Sequence, residues 1–411
     1  MNICFITGSF LPEVAGVPTH LFHLAGHFSK QGHQVLILCP DYSIVSELYP
    51  DYGKYRGEIF PNVTVRPVPT QKNRIKPESV DFQDGAAWCL EEYIGDFKPD
   101  IIQVEDPDRI YGLGLFGLGA ELAYNDAIGI AYARANNIPV IGFYQSNFPA
   151  FADCYLPKNV PTPYRMDPEG VYEKIYGRYD EVLCSCEDAN RYLESHGLKK
   201  VRQGVYMGID ESVFGSDEIS ELIVRDNKVN ILYSGRFDGG KDVNLVIGIF
   251  KKAYEVNSGI RLILAGTGLF KETMSYVRKE CEENPDIVYA GKLDRKELVK
   301  VYNSVDIYFS PHNSDTFGLS VIEAMSRGLP VIVSDRGGPA SFVDNGVNGL
   351  LCADEDDFAR QILTLSGDEA RRKAMGRNAK TAVRKYHGSN CAANLIGTYQ
   401  ELIGRMRKDA V

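Results

Sequence analysis

SDTFGLSVIEAMSRGLPVIVSDRGGPASFV, running from Ser314 to Val343, is the stretch whose reading decides the fold. Asp315 and Glu323 lie eight positions apart across a glycine-containing turn, and the segment continues into PVIVSD, a strand of the buried type. Helical neighbours are three or four residues apart, so these carboxylates do not share one short helical face. A helix opening at Phe317-Gly318-Leu319-Ser320 puts Asp315 in the loop before it and Glu323 inside its first turns. Free N–H groups and roughly half a positive charge at such a start suit a phosphate. Carboxylates beside it accept hydrogen bonds from hydroxyls. Phosphate at one end and hydroxyls along the side describe a nucleotide-sugar.

Outward from this segment, short β-branched runs alternate with helical periodicity, the pattern of parallel α/β sheets. NICFITG, QVLILCP, VTVRPVP, IIQVE, IPVIGFY and EVLCS form one strand series, and VNILYSG, RLILAG, IVYAG, IYFSP and PVIVSD a second. Two series in 411 residues predict two doubly wound domains facing each other across a cleft, with ligands outside the carboxyl ends of the strands. The net charge is −10, and residues 1–203 hold 18 Lys and Arg against 26 Asp and Glu, which excludes a basic nucleic-acid footprint. No apolar run is long enough to span a bilayer, and the N-terminus reads as a strand, not a signal peptide. The nine cysteines show no disulfide or metal framework, as expected for reduced thiols in a cytoplasmic protein.

Several motifs together resemble the family-4 type of retaining glycosyltransferases, which have the GT-B fold of two Rossmann-like domains. Asp315 and Glu323 match the acidic-x7-Glu signature, with Asp in place of the usual first Glu. YSGRFDGGKDVNLVIGIF (Tyr233 to Phe250) resembles the family's strand-loop-helix carrying Arg236 and Lys241; LILAGTG, YNSVDIYFSPH and GVNGLL correspond as well. The resemblance implies a donor-binding domain over 204–387. It also implies an acceptor-binding domain over 1–203, onto which a final helix at about 388–411 returns. The boundary element is VYMGIDESVF.

It implies roles, too. Arg236 and Lys241 would neutralise a diphosphate leaving group without a metal or other cofactor. Glu323 would bind ribose hydroxyls and Asp315 the transferred sugar. The backbone of Phe317, Gly318, Leu319 and Ser320 would hold phosphate, with Gly235 and Gly266 lining the donor. In the first domain Gly16 supplies the family's glycine loop, where two adjacent glycines are usual. GFYQSNFPAFADCY (Gly142 to Tyr155) resembles an element of lipid-directed members, with Gln145 where a histidine is usual and Asn147 beside it. Glutamine bonds a sugar hydroxyl but cannot titrate, so it cannot be a general base. The histidines at 20, 23, 27 and 33 recur at helical spacing without a third metal ligand and read as packing or surface residues.

YGLGLFGLGAEL (Tyr111 to Leu122) and QKNRIK (Gln71 to Lys76) are compatible with a lipid-facing acceptor groove, and equally with a buried helix and a solvated turn. The expected protein is thus a cytoplasmic hexosyltransferase, with peripheral membrane contact left open, acting on a sugar or lipid acceptor. A nucleotide-sugar epimerase of the same architecture and a non-catalytic sugar-nucleotide binder remain as alternatives.

Overall fold

The computed structural model describes residues 1–13, 15–72, 80–83, 87–110, 130–147, 159, 163–205, 207–209, 215–224, 226–237, 240–268 and 270–409. The chain divides into two compact units, Met1–Gly208 with Gly388–Val411, and Ile209–His387. The glycine-rich stretch 111–122 and most of QKNRIK lie outside the described residues, as does 148–155 of the Gln145 element.

The first unit is built on a sheet of eight strands. In chain order they are β1 (Asn2–Thr7), β2 (Gln34–Pro40), β3 (Gly57–Phe60), β4 (Val63–Val68), β7 (Ile101–Glu105), β8 (Val140–Tyr144), β9 (Glu181–Cys184) and β10 (Val201–Gln203). β5 (Thr70–Lys72) and β6 (Val80–Phe82) form a separate hairpin. The spatial order β10-β9-β8-β7-β1-β2-β4-β3 is parallel except for β3 at the edge. Successive residues of a strand face opposite sides. Cys4 and Ile6 of β1 accordingly join one apolar cluster, and Ile3 and Phe5 the other. Both faces are therefore covered, which is why the strands read as continuous apolar runs. Helix α1 (Gly16–Lys30) packs Leu21, Leu24, Ala25 and Phe28 on the second face. The last helix, Gly388–Asp409, lays Ala392, Leu395, Tyr399 and Leu402 on that face as well.

The second unit has six parallel strands: β11 (Val229–Arg236), β12 (Ile260–Thr267), β13 (Ile287–Gly291), β14 (Ile307–Ser310), β15 (Val331–Ser334) and β16 (Gly349–Cys352). Their order is β13-β12-β11-β14-β15-β16. It too is buried on both sides, Ile231 and Tyr233 within one cluster and Leu232 on the opposite face. Every strand expected from sequence is present. β3, β10 and β16 were not legible: they are short edge strands of three or four residues, with too few apolar positions to form a run.

The order of each sheet reverses at one place, between β1 and β7 in the first unit and between β11 and β14 in the second. Loops leaving neighbouring strands in opposite directions open a crevice there.

Candidate functional site

In the second unit the reversal point gathers the residues singled out from sequence. Helix α2 (Val243–Val256) follows β11, and Arg236 stands exposed at that strand's end. After β14 the chain makes the Asp315 loop and enters α4 (Leu319–Ser326), while α3 (Arg295–Tyr302) lies between β13 and β14. Gly318 caps α4 at φ 90°, and a β-carbon there would lie 2.7 Å from Pro339. A glycine cap has no side chain to offer the helix N–H groups, so the start of α4 remains suited to an anion.

Lys241 and Asp315 form an ion pair, and the Ser314 hydroxyl donates to the Gly240 carbonyl at 2.9 Å, tying the two loops together. His312 is within electrostatic reach of both members of the pair. It is 5 % exposed, and its Nε2 has no hydrogen-bond partner among the described residues. Burial, reinforced by Lys241, holds its pKa down to about 3, so this imidazole is neutral. Phe317 contributes backbone alone, because its ring is buried between Phe342 and Tyr386 at centroid distances of 5.9 and 5.5 Å.

Glu323 is 5 % exposed. Arg295 Nη2 donates to Oε1 at 2.8 Å, and the Tyr302 hydroxyl to Oε2 at 3.3 Å. Burial raises the carboxyl's pKa; the Arg295 charge and the Tyr302 bond oppose it. Gly235 and Gly266 are paired across β11 and β12, and a β-carbon on Gly266 would fall 1.8 Å from the Gly235 carbonyl oxygen. Their position at the strand ends needs no ligand to explain it.

Sequence reasoning missed two parts of this site. Arg295 reads as one charge in the helix start DRKEL. Gly338 packs against the Asp315 loop, donating to the Asp315 carbonyl at 2.6 Å, with a would-be β-carbon only 2.5 Å from Phe317 N. The Gly337-Gly338 pair, two residues beyond the end of β15, was its available signal.

The first unit's reversal point is built differently. Gly16 opens α1, exposed, and no side chain caps that helix. At the ends of β7 and β8 lies Glu105, fully buried, accepting from the amides of both Gln103 and Gln145. The Tyr399 hydroxyl donates to Gln103 Oε1 at 2.7 Å, so a residue of the last helix fixes which way that amide faces. Burial pushes Glu105 up to about 8, against the amide bonds. Asp106, in the left-handed region at φ 51°, accepts from the Ser146 backbone N–H at 3.0 Å and from its hydroxyl, and burial raises it to about 6. Gln145 is buried and Asn147 half-buried. His20 is a packing histidine, held neutral by burial at about 3. Among the described residues no group of three or more potential metal ligands occurs.

Comparison with known proteins identifies this arrangement. Residues 14–213 match the model of Glycosyltransferase Family 4, and residues 216–382 that of Glycosyl transferases group 1. The chain belongs to the family-4 glycosyltransferases, and it is an enzyme. Among its relatives is the GDP-mannose-dependent alpha-mannosyltransferase of Mycobacterium tuberculosis, 25 % identical over 85 % of this chain and 83 % of the relative. Another is the alpha-monoglucosyldiacylglycerol synthase of Streptococcus pneumoniae, 24 % identical over 88 % of this chain and 78 % of that one. Sucrose-phosphate synthase from Thermosynechococcus elongatus shares the fold with a TM-score of 0.75 at 17 % identity, covering 98 % and 99 % of the two chains. HepE of Anabaena, in complex with UDP, does so at 0.70 and 14 %, covering 98 % and 100 %. The fold of this glycosyltransferase is GT-B. Among the described residues no helix is long and apolar enough to cross a membrane.

Proposed function

We propose that this glycosyltransferase moves a hexose from a UDP- or GDP-sugar to an acceptor hydroxyl, with retention of configuration and without a metal or other cofactor. One observation carries the reading. Arg236, the Lys241–Asp315 pair, the side-chain-free start of α4 and Glu323 share one reversal point of one sheet. The cations and the helix start there match a diphosphate, Asp315 the transferred sugar and Glu323 a ribose.

In the transfer, the bond from the anomeric carbon to the β-phosphate oxygen breaks. A bond to the acceptor oxygen forms on the same face, and the acceptor's proton leaves with the released diphosphate. Arg236 and Lys241 offset the charge that grows on that leaving oxygen. Donor binding requires Asp315 to release Lys241 to the phosphates and turn to the sugar hydroxyls. Gln145 takes no proton and serves by orienting a hydroxyl. The relatives support a hexose donor and a glycolipid or glycan precursor as acceptor, one being named for GDP-mannose and another for a glucosyl diacylglycerol. A cytoplasmic enzyme in peripheral contact with a membrane fits such an acceptor.

Calorimetric titration with UDP, GDP and ADP tests the donor site. One nucleotide is expected to bind tightly to the wild type and to be lost in Glu323→Ala. Failure of all three to bind would overturn the reading.

A further inference from the structure

The two oxygens of Glu323 are engaged unequally. Oε1 takes a charged donor, Arg295 Nη2, at 2.8 Å, and Oε2 a neutral one, the Tyr302 hydroxyl, at 3.3 Å. A carboxylate has about four lone-pair directions, so each oxygen keeps one for a further donor. Two free directions on one carboxylate match two adjacent hydroxyls. That capacity exists only in the ionised form, and Glu323 stands in a place that opposes ionisation, with 7 % of its side chain accessible.

Two devices counter this. The Tyr302 hydroxyl also contacts the Ser234 hydroxyl at 2.9 Å and the Ser320 carbonyl at 3.3 Å, which fixes Oε2 relative to β11 and α4. Among the described residues, Arg295 brings the formal positive charge that contacts Glu323. Its side chain is 30 % accessible and so reaches from the carboxylate to the surface. The start of α3 does not depend on it. Asp294 accepts from the Glu297 N–H at 2.8 Å, and the Glu297 carboxylate accepts from the Asp294 N–H at 3.1 Å. The capping box thus accounts for the start of α3 without the Arg295 side chain. Its guanidinium is committed to a carboxylate on another element.

We propose that Arg295 is the positioning residue of ribose recognition, holding the Glu323 carboxylate charged and turned so that it receives both hydroxyls of the nucleotide's ribose. The inference rests on Glu323 as the ribose acceptor, as proposed above. Arg295 itself acts through Glu323 and makes no contact with the ribose. A purely structural ion pair predicts something else: loss of Arg295 would lower thermal stability and weaken all nucleotides alike.

Ribose dependence separates these. Whichever of UDP, GDP or ADP binds the wild type is titrated beside its 2′,3′-dideoxy form, in the wild type, Arg295→Met, Arg295→Lys and Glu323→Gln. The wild type is expected to prefer the ribonucleotide at least tenfold. In Arg295→Met and Glu323→Gln the preference should collapse to within twofold, the dideoxy affinity staying near the wild-type value. Arg295→Lys, which keeps the charge and loses the fork, should retain part of the preference. It also preserves the test if the Met variant does not fold. An undiminished preference in the Arg295 variants overturns the proposal, whatever happens to their melting temperatures. A wild type that binds nucleotide but treats both forms alike takes the ribose role from Glu323 itself. The functional reading of that residue then fails before Arg295 is reached, as it does if no nucleotide binds.

Discussion

Glu105 and Glu323 are both buried glutamates at the reversal point of a parallel sheet, and they are held in opposite ways. Glu323 is met by a guanidinium and a tyrosine hydroxyl, Glu105 by two glutamine amides. Amides donate hydrogen bonds but bring no charge, so burial prevails and Glu105 rises to about 8. Arg295 brings a full charge against the same penalty. The second unit is thus built to keep a carboxylate and the first to keep a proton. A carboxylate can receive donor hydroxyls. A protonated or amide-locked group can only orient its neighbours, which is the part a non-titrating Gln145 requires.

The comparison is broken most directly by making one substitution in both places. Glu323→Gln removes the charge with little change of shape. It is expected to weaken nucleotide binding about a hundredfold, as for two lost charge-assisted hydrogen bonds at about 1.5 kcal/mol each. Glu105→Gln should leave nucleotide affinity within twofold. Calorimetry on both variants checks this, and equal losses would show that the two glutamates serve one ligand.

A second effect separates them by pH. In the unfolded chain Glu105 has an ordinary value of 4.5, and in the folded unit about 8. Between these values the folded unit holds a proton that the unfolded chain releases. Stability is therefore greatest below pH 4.5 for this group and falls as pH rises towards 8, by about 1.4 kcal/mol per pH unit. Asp106 adds to the fall below pH 6. Hydrogen exchange of the β1 and β7 amides through urea reports the unfolding of the first unit. Glu105→Gln should flatten the slope, and Glu323→Gln should leave it as in the wild type. An unaltered slope in Glu105→Gln would place the proton elsewhere.

How far the sequence revealed this follows the same division. Asp315 and Lys241 were legible because each is a charged residue close to glycines in a strand-to-helix loop, where few structural roles compete, and Glu323 because it follows Asp315 by eight positions in the same segment. Gln145 was noticed only as a departure from a resemblance. Its partner Glu105 was not, since IIQVE reads as a plain apolar strand and nothing local says that its last residue turns inward. Arg295 was hidden by its own neighbours. The capping box of Asp294 and Glu297 accounts for a charged cluster at a helix start, which left no residue of DRKEL asking for another explanation. Contacts between residues 28 or 40 positions apart have no periodicity to betray them. The strands themselves did, because burial on both faces writes an apolar run into the sequence.

The smallest test concerns the far end of the Glu105 network. Tyr399 sits almost 300 residues away in sequence, on the last helix, and its hydroxyl fixes the Gln103 amide through Oε1. Tyr399→Phe keeps the ring in the apolar cluster and removes one hydrogen bond, leaving a buried carbonyl oxygen unmatched. A loss of about 1 kcal/mol in the stability of the first unit is expected. The amide is then free to turn over, presenting its oxygen to Glu105. A carboxylate facing an oxygen holds its proton more tightly, so the fall of stability with pH should extend above the wild-type range. The urea midpoint as a function of pH in Tyr399→Phe reads both. A uniform loss with the wild-type pH range would mean that Gln103 keeps its orientation without the last helix, and that strand β7 alone sets the amide facing Glu105.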